Sequence, residues 1–228
     1  MARLDNLTLR ERVHEHLKRE IVANRYAPGA TLLEVPLSEE LGVSRGPIRE
    51  ALRSLEAEGL VEITPRRGAV VISLTKRDFL EAYQVREALE ALGVRLAVPR
   101  LTEAALDDLD DEIERMAEHV ARGDRDDFFD ANARFHEALV EASGNRKLIE
   151  VYRRLMAQMG PYRGPSARLR GNFERSIAEH RQIVAAARDR DAARAEAMVV
   201  EHIEVPQRLL EALAEEEFAR STALASAT

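Results

Sequence analysis

Three histidines carry the strongest chemical signal in this chain: His136 in Phe135-His136, His180 in Glu179-His180 and His202 in His202-Ile203. Each stands among core-type residues in a stretch with helical periodicity. A single buried histidine is most often an ordinary hydrogen-bonded core residue. Three of them on three helices of one bundle suggest convergence on a metal ion. Asn132 lies four residues before His136, on the same helical face, and adds an amide oxygen. Imidazole suits a divalent transition metal; zinc is expected, with nickel, manganese or iron as alternatives. A set of three histidines and one asparagine is neutral, so a bound ion keeps its positive charge and can anchor an anion. The expected chemistry is capture of a small organic acid. No HExxH or comparable motif supplies a general base, which leaves a metal-dependent enzyme as the remoter alternative and direct metal sensing as the nearer one. His14, His16 and His119 read as surface residues.

A second constellation lies upstream. Arg45, Arg49 and Arg53 recur every four residues, so they share one helical face, while Ile48, Leu52 and Leu55 face the other way. Ser44 is placed to cap that helix or to touch a phosphate. Arginines in the first turns of a helix that follows a short helix and a Gly turn match a DNA-reading helix, where Arg grips guanine in the major groove. Arg66, Arg67 and Gly68 would form the tip of a following hairpin, with Gly68 allowing close backbone approach.

The elements that must position these groups are legible from caps and periodicity. Thr8-x-x-Glu11 is a capping box that opens a helix to about residue 23. A short helix around 37–41 stops at Gly42, and the arginine-bearing helix runs from Ser44 to Gly59. Residues 60–64 and 69–72 read as two strands joined by Pro65-Arg66-Arg67-Gly68. Thr75-x-x-Asp78 is another capping box and marks a domain boundary. Thereafter the chain reads helical over about 76–97, 103–121, 125–142, 145–160, 172–188 and 190–217. The expected fold is mainly α: a winged helix-turn-helix over 1–75, an all-α antiparallel bundle over 76–220, and a tail over 221–228.

Composition sets the bounds. The chain has 228 residues, 45% of them hydrophobic, and a net charge of −7. Residues 1–75 carry 11 basic and 11 acidic side chains, so the acidic surplus belongs to the remainder, which is a poor DNA surface. The absence of cysteine excludes disulfides and thiolate metal sites, and fits a cytoplasmic protein. No apolar run approaches the ~20 residues of a membrane span.

The segment Gly42-Val43-Ser44-Arg45, Pro47, Arg49-Glu50-Ala51-Leu52, Leu55, Gly59-Leu60-Val61, followed by Arg67-Gly68, resembles the DNA-binding domain of GntR-family bacterial regulators. The resemblance places DNA contacts on Ser44, Arg45, Arg49 and the wing around Arg66 to Gly68. Relatives often carry a basic residue and a Glu before the second helix, where this chain has Val35-Pro36. Downstream, Tyr83-Gln84-Val85-Arg86 through Glu90, Phe135-His136 through Asn145, Glu179-His180 and His202 resemble the helical FCD effector domain of the FadR subfamily. That resemblance maps the metal ligands onto Asn132, His136, His180 and His202; the family commonly has Asp at the first of these. Tyr83 and Arg86 are expected to contact the effector, with a structural Arg86–Glu90 ion pair as the competing role for Arg86. Together these readings imply a homodimeric, ligand-responsive repressor of a palindromic double-stranded operator.

Overall fold

The computed structural model describes residues 7–64, 67–162 and 173–218. Arg66, most of the loop expected after Gly160, and the tail over 221–228 lie outside the described residues.

The N-terminal head begins with α1 (Leu9–Val22), whose Thr8 and Glu11 satisfy each other's end of the helix start. Val13, Leu17 and Ile21 repeat at helical spacing and bury against Ile48, Ala51, Leu52 and Leu55 of α3 (Arg45–Glu58). Between them lies α2 (Glu34–Leu41), which starts earlier than its apolar residues suggest. Val35 and Pro36 therefore fall in its first turn, where the missing Pro N–H has no intrahelical partner to lose. Gly42 and Gly59 stop α2 and α3 in the left-handed conformation.

The wing contains one more strand than the sequence suggests. β1 (Thr31–Leu32), β2 (Val61–Thr64) and β3 (Gly68–Val71) form an antiparallel sheet in the order β1-β3-β2. Thr31 pairs with Val70, Val61 with Val71 and Thr64 with Gly68. A two-residue strand has too little alternation to be read from sequence. Gly68 has φ of +88°, and a Cβ built on it would stand 2.7 Å from the carbonyl oxygen of Leu32. Its close approach is thus to the protein's own β1. Gly68→Ala combines left-handed strain with a backbone clash and should destabilise the head by about 2 kcal/mol or more; chemical denaturation followed by circular dichroism checks it.

The bundle comprises α4 (Lys76–Ala97), α5 (Glu103–Arg122), α6 (Arg125–Ala142), α7 (Arg146–Met159), α8 (Phe173–Arg188) and α9 (Ala192–Ala212). Helix α4 packs along α9 and against α6, α5 against α6 and α8, and α7 against α4. Phe79, Tyr83, Phe128, Phe135, Ile183, Val199 and Ile203 lie in their shared core. Helix α9 ends five residues short of the sequence expectation and runs through Pro206.

Head and bundle meet at a seam. Buried Asn24, with φ of +57°, donates its side-chain N–H to the Pro161 carbonyl at 2.7 Å. The Tyr162 hydroxyl accepts from the Leu74 amide. A Cβ on Gly59 would meet Arg154 and Gln158 of α7, so α7 lies against the end of α3.

His14 is not the solvated residue the sequence suggests: its side chain is 14% exposed, and Nε2 lies 2.5 Å from Glu58 of α3. Hydrogen bonding to Glu58 raises the His14 pKa above 6.5 despite partial burial. Hydrogen bonding to His14, aided by Lys18, lowers Glu58 to about 2 against a desolvation penalty. The histidine contribution is complete below pH 6.5 and is lost as pH rises through its raised value. The glutamate contribution is complete above pH 4.5 and is lost as pH falls toward 2. The pair therefore stabilises most between these limits, and Glu58→Gln should flatten both flanks of a pH–stability curve measured by urea unfolding.

Candidate metal centre and DNA-reading surface

Helices α6, α8 and α9 bring His136, His180 and His202 together in the bundle interior, where all three are buried. One nitrogen from each lies within 4.8 Å of the others. His136 Nε2 and His180 Nε2 are 3.3 Å apart. Zinc–nitrogen bonds of about 2.0–2.1 Å at a tetrahedral angle set two ligand nitrogens about 3.3–3.4 Å apart, which the observed spacing meets. The sequence-predicted fourth ligand, Asn132, is buried one turn before His136 on α6.

Two carboxylates that sequence reasoning did not assign to the site lie against its rings. Glu90 Oε2 lies 2.6 Å from His136 Nδ1, and Glu179 Oε2 lies 2.7 Å from His202 Nδ1. A carboxylate at Nδ1 fixes the proton there and leaves Nε2 as the lone-pair donor, the arrangement that supports metal-ligating histidines. The donor chemistry, burial and spacing all fit a divalent transition ion. The signals for Glu90 and Glu179 were partly local: Glu90 stands four residues after Arg86, and Glu179 precedes His180. What the sequence does not contain is the cross-helix pairing that gives them this role.

Arg86 forms the ion pair with Glu90 that the sequence offered as its structural role. Its Nε donates to Glu90 Oε1 at 2.6 Å, and both side chains are almost wholly buried. The Tyr152 hydroxyl, from α7, lies 3.3 Å from the same oxygen. Burial alone would raise the Glu90 pKa, but Arg86 and His136 outweigh it and hold the carboxyl well below its usual range. Arg86 Nη2 has no hydrogen-bond partner among the described residues, so the guanidinium retains a donor for a further acceptor. Tyr83 is buried in the core against Phe79, with the Arg86 guanidinium 5.6 Å from its ring centroid. A cleft of about 250 Å³ between α8 and α9 reaches His202, lined by Arg175, Glu179, Gln182 and Glu201.

The second expected site lies on the head. Ser44, at the N-cap of α3, and Arg45, Arg49 and Arg53 on it are all exposed. Ser44 caps the helix by backbone position only; its hydroxyl makes no capping bond. Arg67 is exposed at the hairpin. Arg49 is not a free cation: Nε and Nη2 donate to Glu34 Oε1 and Oε2, each at 2.7 Å.

An exposed arginine helix on a winged head, joined to a separate helical bundle with a buried triad of imidazoles, is the architecture of a DNA-binding regulator. Residues 9–71 match the bacterial regulatory proteins of the gntR family, and residues 81–205 match the FCD domain. The chain belongs to the GntR family of transcriptional regulators, among those that carry an FCD domain. It is 38% identical over 136 residues to the uncharacterized HTH-type transcriptional regulator YdhC of Bacillus subtilis (strain 168), covering 59% of this chain and 61% of that one. It is 34% identical to a probable D-xylose utilization operon transcriptional repressor of Paenarthrobacter nicotinovorans, covering 67% of each. The solved structure of E. coli McbR/YncC superposes with a TM-score of 0.78 at 26% identity, covering 90% of this chain and 98% of that chain. These domains and relatives are those of DNA-binding regulators, not of enzymes. No helix among the described residues is long and apolar enough to cross a membrane.

Proposed function

We propose that the protein is a FadR-subfamily repressor that senses a small carboxylate through a metal held by Asn132, His136, His180 and His202. The observation that carries this reading is the buried imidazole triad with a carboxylate on the Nδ1 of two of its rings. A divalent ion, zinc foremost, supplies Lewis acidity toward an anionic oxygen when bound there. Arg86 contributes the unused donor beside the site, Tyr83 packs against its guanidinium, and Glu90 fixes both Arg86 and His136.

Helix α7 offers the route from the site to the head. Tyr152 touches Glu90 at one level, while Arg154 and Gln158 lie against Gly59 at the end of α3. A ligand that shifts the Glu90 cluster would thereby bias α3, and linkage requires DNA and effector to change each other's affinity by the same factor. Two copies would place one head on each half of a palindromic operator, with Ser44, Arg45, Arg49, Arg53, Arg66, Arg67 and Gly68 at the DNA.

The test is a fluorescence-anisotropy titration of a duplex selected from a randomised pool, with a panel of small mono- and dicarboxylates, before and after chelation. Chelation should abolish the carboxylate response and leave DNA affinity within about twofold. Loss of DNA affinity on chelation would instead favour direct metal sensing, the second reading that the same triad supports.

A further inference from the structure

We propose that Glu34 is a specificity-determining residue: it clamps Arg49 side-on, so that only the far end of the guanidinium reaches the DNA. This rests on the reading of α3 as the recognition helix. The two Arg49–Glu34 hydrogen bonds are parallel, both 2.7 Å long, and use Nε and one N–H of Nη2. Of the five guanidinium donors, one on Nη2 and two on Nη1 remain. The outward pair, one on each terminal nitrogen, forms the end-on fork that matches O6 and N7 of guanine.

The clamp is rigid at both ends. Glu34 is the first residue of α2, where the helix dipole favours a carboxylate, and Arg49 lies in the second turn of α3. The two helices are fixed by Leu37, Ile48 and Leu52 in the head core. An unclamped arginine can swing its side-on edge onto any phosphate, a contact without sequence information. Glu34 closes that edge and places a negative charge beside it, which repels phosphate. The carboxylate thus exchanges general attraction to DNA for base reading. Both partners are partly exposed, at 53% for Arg49 and 29% for Glu34, so the pair adds little to folding stability.

The experiment compares the full-length wild type with Glu34→Gln, Glu34→Ala and Arg49→Ala on a duplex selected by the wild type from a randomised pool and on a shuffled duplex, at one salt concentration. Arg49→Ala should weaken binding to the selected duplex by about 5- to 150-fold. Glu34→Ala should bind the shuffled duplex about two- to fivefold more tightly, because a negative charge near the phosphates is gone. Its selected-to-shuffled ratio should fall about tenfold or more, with the melting temperature unchanged. Glu34→Gln, which accepts only one of the two hydrogen bonds, should fall between. An unchanged ratio in Glu34→Ala beside a lost ratio in Arg49→Ala overturns the role of Glu34 and leaves α3 as the reader. Full affinity in Arg49→Ala overturns the recognition assignment itself. Equal weakening on both duplexes with a lowered melting temperature makes Glu34 a structural residue and overturns the proposal.

Discussion

Glu90→Ala should destabilise the bundle by about 3–5 kcal/mol, because it leaves the buried Arg86 guanidinium without its counter-charge. The side chain serves three partners at once: Arg86 on its own helix, His136 on α6 and Tyr152 on α7. Removing it strands three buried polar groups, and an orphaned buried donor carries its full desolvation penalty. The double variant Glu90→Ala with Arg86→Met removes the ion pair as a unit. It should recover much of the lost stability, since a buried pair replaced by apolar groups is often neutral. It should not recover metal, because His136 has lost the carboxylate that sets its tautomer; removal of such a support lowers metal affinity by about 10- to 100-fold. Urea unfolding of metal-free protein measures the first effect and competitive zinc titration the second. A Glu90→Ala protein within 1 kcal/mol of wild type (about a fivefold change in the folding equilibrium) would show that the cluster is solvated rather than a buried charge network.

The same cluster marks where sequence reasoning stops. Helices α1 and α3, both capping boxes and the β2–β3 hairpin follow from signals within a few residues of each other, so they are legible without a fold. The three histidines are legible as a set because each lies in a stretch whose periodicity already defines a helix. The nitrogen each ring presents is not, since it depends on Glu90 for His136 and on a carboxylate 23 residues away for His202. Arg86 illustrates the limit: its charge alone suits an effector contact and a salt bridge equally, and only the placement of Tyr152 and His136 around Glu90 reveals the shared network. Gly68 is similar. Its need for close approach is readable from residue type, but the partner, the Leu32 carbonyl, belongs to a strand too short to read. In the head, the Glu34–Arg49 clamp joins residues 15 apart on different helices, beyond any single-helix spacing rule.

His180→Ala should abolish tight metal binding while leaving the head folded and able to bind DNA. His180 Nε2 lies 3.3 Å from His136 Nε2, and the ring centroid lies 4.4 Å from that of Phe135. Its loss removes one of three imidazoles, after which the two remaining rings cannot close a tetrahedral site. Zinc content by elemental analysis should fall from about one ion per chain to near zero, and affinity by more than the ~100-fold upper range seen for supporting residues. The cavity left by an imidazole in this core should also lower stability by about 2–4 kcal/mol, so binding must be measured well below the melting temperature. His180→Gln separates the two effects: it fills more of the volume but is a much poorer ligand, so it should restore stability without restoring metal. If His180→Ala retained a full equivalent of tightly bound zinc, the triad would be a set of packed core histidines and the anchoring role would fall. If zinc were lost while the DNA response to carboxylates persisted, the effector would have to be held by Arg86 and its neighbours alone. The two outcomes differ in a single pair of measurements, which makes this histidine the sharpest point at which to separate a metal-anchored sensor from a buried polar core.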